Sequence, residues 1–269
     1  MRHAVTISLL SLCAFAGQSR ADALEVPSSA EPKTSPAAGD SLTVGAGVAY
    51  VPEYVGSDKN RVLPVPFLER TFDNGAFIST MRGVGFQTTV EGFNLSAALG
   101  YGGARKDHKT TFSGSDDLRG MGDIDGAAQA VLGVGYQLGR VGLNFSTAQN
   151  LGHRENGATY TLGAKMALYT SASDQIGLSA GAVYGDDKHA QTYFGVTAAQ
   201  SASSGYKAYT AKAGFETASA TLNWNHVIDK TWSVHTMVGV TRVLGDAADS
   251  PLTKRKTTPM LMTGFSYKF

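Results

Sequence analysis

Apolar side chains recur at every second position along most of the chain from Ser41 onward. Between Trp232 and Leu244 one face carries Trp232, Val234, Thr236, Val238, Val240 and Leu244, while the other carries Ser233, His235, Met237, Gly239 and Thr241. A helix would scatter these two sets, whereas a strand separates them. The same split recurs at 93–101, 141–148, 160–168 and 176–184. The second face is built from Gly, Ser, Thr, Asn and an occasional Lys or His. A soluble sandwich buries its apolar face and exposes a charged one. A small, weakly polar second face instead suits the lumen of a barrel whose apolar face meets lipid. Each segment has about the ten residues that a tilted strand needs to cross a bilayer. Lipid offers no partner to an open sheet edge, so such a sheet must close. The expected fold is therefore all-β, an antiparallel transmembrane β-barrel of the bacterial outer membrane.

Composition agrees with this fold and excludes others. Charged residues make up 17% of the chain, against about 25% in soluble domains. The 23 Lys and Arg balance 22 Asp and Glu, and a net charge near zero argues against a nucleic-acid binder, which needs a basic face. The single cysteine cannot form a disulfide within the chain. The glycine count of 32 is high for 269 residues, and small inward side chains such as Gly133, Gly135, Gly142, Ser146, Gly177, Ser179 and Gly181 account for part of it.

Residues 1–23 read as a signal peptide. Arg2 and His3 precede an apolar run from Ala4 to Ala16, and Ala21-Asp22-Ala23 fits the A-x-A cleavage pattern. Cleavage there removes Arg2, Arg20 and Asp22, taking the charges from 23 and 22 to 21 of each sign. Residues 24–40, rich in Pro, Ser and Ala, read as a flexible periplasmic leader, and 41–269 as the barrel.

Connections alternate between short and long, as outer-membrane barrels require. Gly139-Arg140, Ser171-Ala172-Ser173 and Asp229-Lys230 are tight turns for the periplasmic side, whereas 103–125, 186–217 and 245–256 are long and polar. Trp224 and Trp232 flank one turn and fit an aromatic girdle. Eight crossings are distinct, at 92–102, 126–138, 141–150, 158–170, 174–185, 218–228, 232–244 and 257–269. Residues 41–50, 61–70 and 75–90 would add three. Even parity then asks for 75–90 to divide near Arg82-Gly83, giving twelve strands; ten is the alternative. Phe265, Tyr267 and Phe269 share one face of the last segment. They resemble the C-terminal signal read by the outer-membrane assembly machinery.

Four segments carry a family resemblance: Val51-Pro52-Glu53-Tyr54-Val55-Gly56-Ser57, the run from Leu118 to Gly126 with Asp123 and Asp125, the run from Gln191 to Gln200 with Tyr193 and Phe194, and the run from Leu244 to Pro251 with Gly245, Asp246 and Asp249. In this order and with this C-terminus the chain resembles the MipA/OmpV family of outer-membrane proteins over about 42–269. The resemblance implies a scaffold joining a lytic murein transglycosylase to a murein synthase, or an adhesin or receptor acting through extracellular loops. It implies no catalytic residue set. A small-solute channel is a further alternative, because lumen width grows with strand number.

Other constellations carry less. Asp123-Ile124-Asp125-Gly126 opens like a calcium loop, but position twelve is Val134 and not the required Glu. Asp123-x-Asp125 and Asp187-x-His189 could mimic the paired acid and His of an omptin protease, but nothing around them supports it. There is no G-x-S-x-G elbow. His226 and His235 lack metal-site spacing. No enzyme activity, cofactor or metal is expected. Lys254-Arg255-Lys256 could contact lipopolysaccharide phosphates. The expected protein is a monomer in outer-membrane lipid.

Overall fold

The computed structural model describes residues 40–269. The signal peptide expected at 1–23, and all but the last residue of the leader expected at 24–40, lie outside the described residues. Twelve strands follow one another round a closed barrel. They are β1 Ser41–Pro52, β2 Asn60–Thr71, β3 Ala76–Ser79, β4 Gly83–Val90, β5 Phe93–Gly102, β6 Ala127–Leu138, β7 Val141–Asn150, β8 Ala158–Thr170, β9 Asp174–Gly185, β10 Gly214–Val227, β11 Trp232–Val243 and β12 Thr257–Lys268. Each is antiparallel to its chain neighbours, and β12 closes on β1 from Thr43↔Lys268 to Tyr50↔Leu261. Among the described residues the barrel thus has twelve strands and not ten, with both of its ends on the periplasmic side. None of its helices is long and apolar enough to cross a membrane among the described residues.

The alternation has the expected outcome. Val62, Val84, Leu99, Leu132, Leu138 and Leu162 point outward and are exposed, forming the band that meets lipid in the bacterial outer membrane. Aromatic rings mark its two rims. Trp232 packs on Tyr267 at 5.1 Å on the periplasmic side, and Tyr160, Tyr184 and Phe215 follow one another on the opposite side at 6.2 and 5.6 Å. The closing seam depends on glycine: a Cβ on Gly45 would lie 2.3 Å from the Phe265 carbonyl oxygen.

Three features depart from expectation. Residues 75–90 do divide near Arg82, but unequally, because the Ser79 hydroxyl accepts the amides of Met81 and Arg82 and folds the chain back after only four residues of β3. Strand β10 begins at Gly214, four residues before 218, with a bulge between Phe215 and Thr217. A bulge breaks the period of two, which hid this start. The long loops are also not irregular. They contain α1 Asp187–Phe194, α2 Ala198–Ser204 and α3 Gly245–Asp249. The Asp186 carboxylate caps α1 at the His189 amide, and Thr197 with Gln200 forms a capping box on α2.

Candidate functional site

The long connections meet over the extracellular mouth as a packed lid. One cluster joins Ala190, Tyr193 and Phe194 of α1 to Ala211, Val243, Ala247 and Ala248; a second joins Tyr54, Leu118, Met121, Val196 and Leu252. Apart from Val243, the last residue of β11, these residues come from four separate loops. Polar links tie the same loops. The hydroxyls of Tyr54, Tyr206, Tyr209 and Ser250 donate to the carbonyls of Leu252, Asp117, Asp246 and Phe194.

Tyr193 lies at the centre. Its hydroxyl donates to the Gly103 carbonyl at the end of β5, its ring stacks on His189 at 4.3 Å, and the Arg105 guanidinium lies 5.7 Å from the ring centre. Burial lowers the Arg105 pKa to about 10. His189 Nδ1 meets Glu216 Oε1 at 2.9 Å, and both side chains are at most 5% exposed. The bulge in β10 turns Glu216 toward this pair.

A second polar centre holds the loop 103–126 onto β2. Glu53 accepts from Ser115 Oγ at 2.6 Å and pairs with Lys109 at 2.7 Å, with Arg61 at 3.9 Å. Arg61 donates to the carbonyls of Gly114 and Thr110. Burial raises the Glu53 pKa, but hydrogen bonds from Lys109 and Ser115 and the charges of Lys109 and Arg61 outweigh it and hold the group below its ordinary 4.5. Asp116, bonded by Arg119, and Asp123, bonded by Lys106, are also lowered. A folded pKa below the unfolded one stabilises above the unfolded value and is lost as pH falls through the folded value. Amide hydrogen exchange in 103–126 is therefore expected to speed up as pH falls below about 4, after correction for intrinsic rates. Glu53→Gln should flatten part of that dependence.

The residues singled out from sequence fall in different places. Tyr193 and Phe194 are lid core. Gly245 opens α3 with φ +51°. The Asp246 carboxylate accepts the Lys212 amide at 3.0 Å, and Asp249 pairs with Lys256 at 3.0 Å. Pro251 lies in the turn after Ser250. Asp123 and Asp125 share Lys106 at 2.8 and 3.6 Å. Lys254, Arg255 and Lys256 are exposed, with Lys254 3.8 Å from Asp117 and its neighbour's amide tied to the Gly56 carbonyl. Phe265 and Tyr267 point outward on β12, and the Tyr267 ring contacts that of Phe269 at 4.7 Å. The omptin-like arrangement is not formed, since Glu216 engages His189 and Lys106 engages Asp123. His226 pairs with Asp174 at 2.8 Å beside Trp224, and His235 meets Ser266 at 2.7 Å in the lumen. Sequence reasoning missed the roles of Arg105, Glu53, Arg61 and Glu216, although Glu53 stands within the Val51–Ser57 motif. The first three stand at loop edges among ordinary polar residues; Glu216 was hidden by the bulge.

Comparison with known proteins bears on this arrangement. An Escherichia coli (strain K12) protein named MltA-interacting protein is 24% identical over 229 residues, covering 85% of this chain and 90% of its own length. A Shigella flexneri protein of the same name matches to the same extent. Among solved structures, the NanC porin gives a TM-score of 0.37 at 10% identity, covering 85% of this chain and 100% of its own. The COG4313 outer membrane channel of Pseudomonas putida F1 gives 0.38 at 11%, covering 89% and 100%. The family description MltA-interacting protein MipA matches residues 44–269, from β1 through β12 and including every loop of the lid, and the chain belongs to that family.

Proposed function

We propose that this protein is a non-enzymatic scaffold of the outer membrane that holds a murein transglycosylase, and with it a murein synthase, against the periplasmic face. The observation that carries this reading is the relative named for its interaction with MltA, which aligns over 85% of the chain. The lid favours it over a general porin or an adhesin. Tyr193 and Phe194, from the loop motif at 191–200, are buried in packing and not offered to a host surface. The periplasmic connections span two to four residues between strands, so the leader 24–40 and the barrel rim would supply the docking surface. Purified protein with and without residues 24–40 should be compared for capture of a lytic murein transglycosylase. Capture is expected with the leader and severalfold weaker without it; no capture by the intact protein would reject the reading. In the same proposal Lys254, Arg255 and Lys256 touch lipopolysaccharide phosphates at the lid surface.

Phe265, Tyr267 and Phe269 are assigned to recognition by the assembly machinery. Deleting Phe269 removes an exposed ring at the closing seam, whose amide bonds the Leu42 carbonyl at 2.9 Å. The amount of heat-modifiable barrel in outer-membrane fractions is expected to fall severalfold at equal synthesis, while protein refolded in detergent reaches the same fold.

A further inference from the structure

The barrel wall is incomplete on one side, and the sequence is adapted to the gap. Strand β3 pairs with β2 only at Glu69↔Ser79, Arg70↔Ile78 and Thr71↔Phe77. The β3–β4 hairpin therefore stops low, and residues 60–67 of β2 pair with β1 alone among the described residues. Across the gap, Gly100, Tyr101 and Gly102 of β5 pair with β6 but have no β4 partner. A missing pair of strands leaves an opening about 10 Å wide. It is framed by β2, β5 and the hairpin tip 80–82. The loop 103–126 crosses above it to reach Arg61 and Glu53.

The opening faces hydrocarbon. On β1, Tyr50 stands at the upper aromatic rim and is paired with Val62, so Pro64 and Pro66 lie below that rim. Within a strand, alternate residues aim their backbone groups at the same neighbour. The Leu68 amide and carbonyl and the Pro66 carbonyl are bonded by Thr80, so Pro64 and Pro66 face the gap. Proline has no N–H to leave unpaired in lipid and is confined to sheet edges. The two prolines remove two donors along that edge, and they also oppose addition of a partner strand.

What lies behind the opening differs from the rest of the lumen. The inner face of β2 presents Leu63, Val65 and Phe67, partly accessible, and Leu63 and Val65 are backed by Ala49, Val51, Met237, Met260 and Met262. Elsewhere the inner wall is mostly small or polar, as at Ser146, Gly163, Ser179 and Ser219, with Gln129, Lys165 and scattered apolar residues such as Val131 and Val183 among them, whereas on β2 Leu63, Val65 and Phe67 form an apolar run between Arg61 and Glu69. Methionine-rich apolar surfaces adapt to irregular hydrocarbon. This apolar wall is continuous, through the gap, with the lipid-facing surface. We infer that the window between β2 and β5 admits one acyl chain of a membrane lipid from the outer leaflet onto the inner face of β2. The inference is independent of the scaffold reading.

The chain's only cysteine, Cys13, lies in the segment expected to be cleaved, so one introduced thiol can carry a bimane fluorophore. The purified protein is placed in nanodiscs of phosphatidylglycerol brominated on its acyl chains, which quench bimane on contact. Val65→Cys and Leu63→Cys report the inner face behind the window, Val62→Cys the lipid face, and Ser219→Cys the inner face of a fully paired wall. Heat-modifiable migration verifies each fold. Quenching at Val65→Cys or Leu63→Cys close to that of Val62→Cys, and severalfold above Ser219→Cys, supports the inference. Quenching at both that is no greater than at Ser219→Cys overturns it.

Discussion

Tyr193→Ala is expected to open the lid while leaving the barrel intact. The substitution empties the centre of a buried cluster and breaks the bond to the Gly103 carbonyl. It also unstacks His189 and bares the Arg105 guanidinium, which is held at the ring and at the Tyr193 carbonyl. Truncating a buried aromatic costs about 3–5 kcal/mol. The strands do not depend on these contacts, because backbone ladders join every neighbouring pair from β5 round to β12. Protease added outside intact cells should then cut within 103–126 and 186–213 of the variant and spare the parent, and planar bilayers should record a larger conductance for the variant than for the parent. Loops as resistant as the parent's would mean that the lid is not held from this centre.

Glu53→Ala should give the second large effect, at the opposite edge of the lid. The Arg61 and Glu53 side chains are at most 5% exposed, and Lys109 and Ser115 converge on the same carboxylate. Removing one partner of a buried ion pair leaves an uncompensated charge and costs about 3–5 kcal/mol. The loss should be local, freeing 103–126 from β2 above the wall opening. Lys59→Ala, which removes an exposed pair with Asp117, should be nearly silent because solvent screens it. Exchange rates in 103–126, compared among the three proteins, measure the difference. Equal rates in all three would show that the buried carboxylate does not hold the loop.

Strands were readable where one face met lipid and the other a narrow lumen. There the period of two is enforced at every residue, as from Trp232 to Val240. Parity forced the division of 75–90, but nothing in the pattern showed that β3 would hold only Ala76–Ser79. That shortness depends on the Ser79 hydroxyl capturing two amides and on Arg82 folding over Phe77, at 3.9 Å from its ring. The lid was harder to read. Helices of five to eight residues show too little periodicity to stand out, although Asp186 and the Thr197-x-x-Gln200 box are capping signals that could have marked two of them. The buried pairs His189–Glu216 and Glu53–Arg61 join residues 27 and 8 positions apart. Such pairings follow from loop packing, and a single sequence does not record them.

The scaffold reading is tested most directly by photo-crosslinking in intact cells. A photoreactive residue is placed in turn at Arg140, Ser171 and Lys230 in the periplasmic turns, at a position within 24–40, and at Arg119 and Lys207 on the lid. Crosslinks to a lytic murein transglycosylase from the leader and the turns, and none from the lid, are the expected result. A transglycosylase captured only from the lid, or from no position at all, would contradict the account.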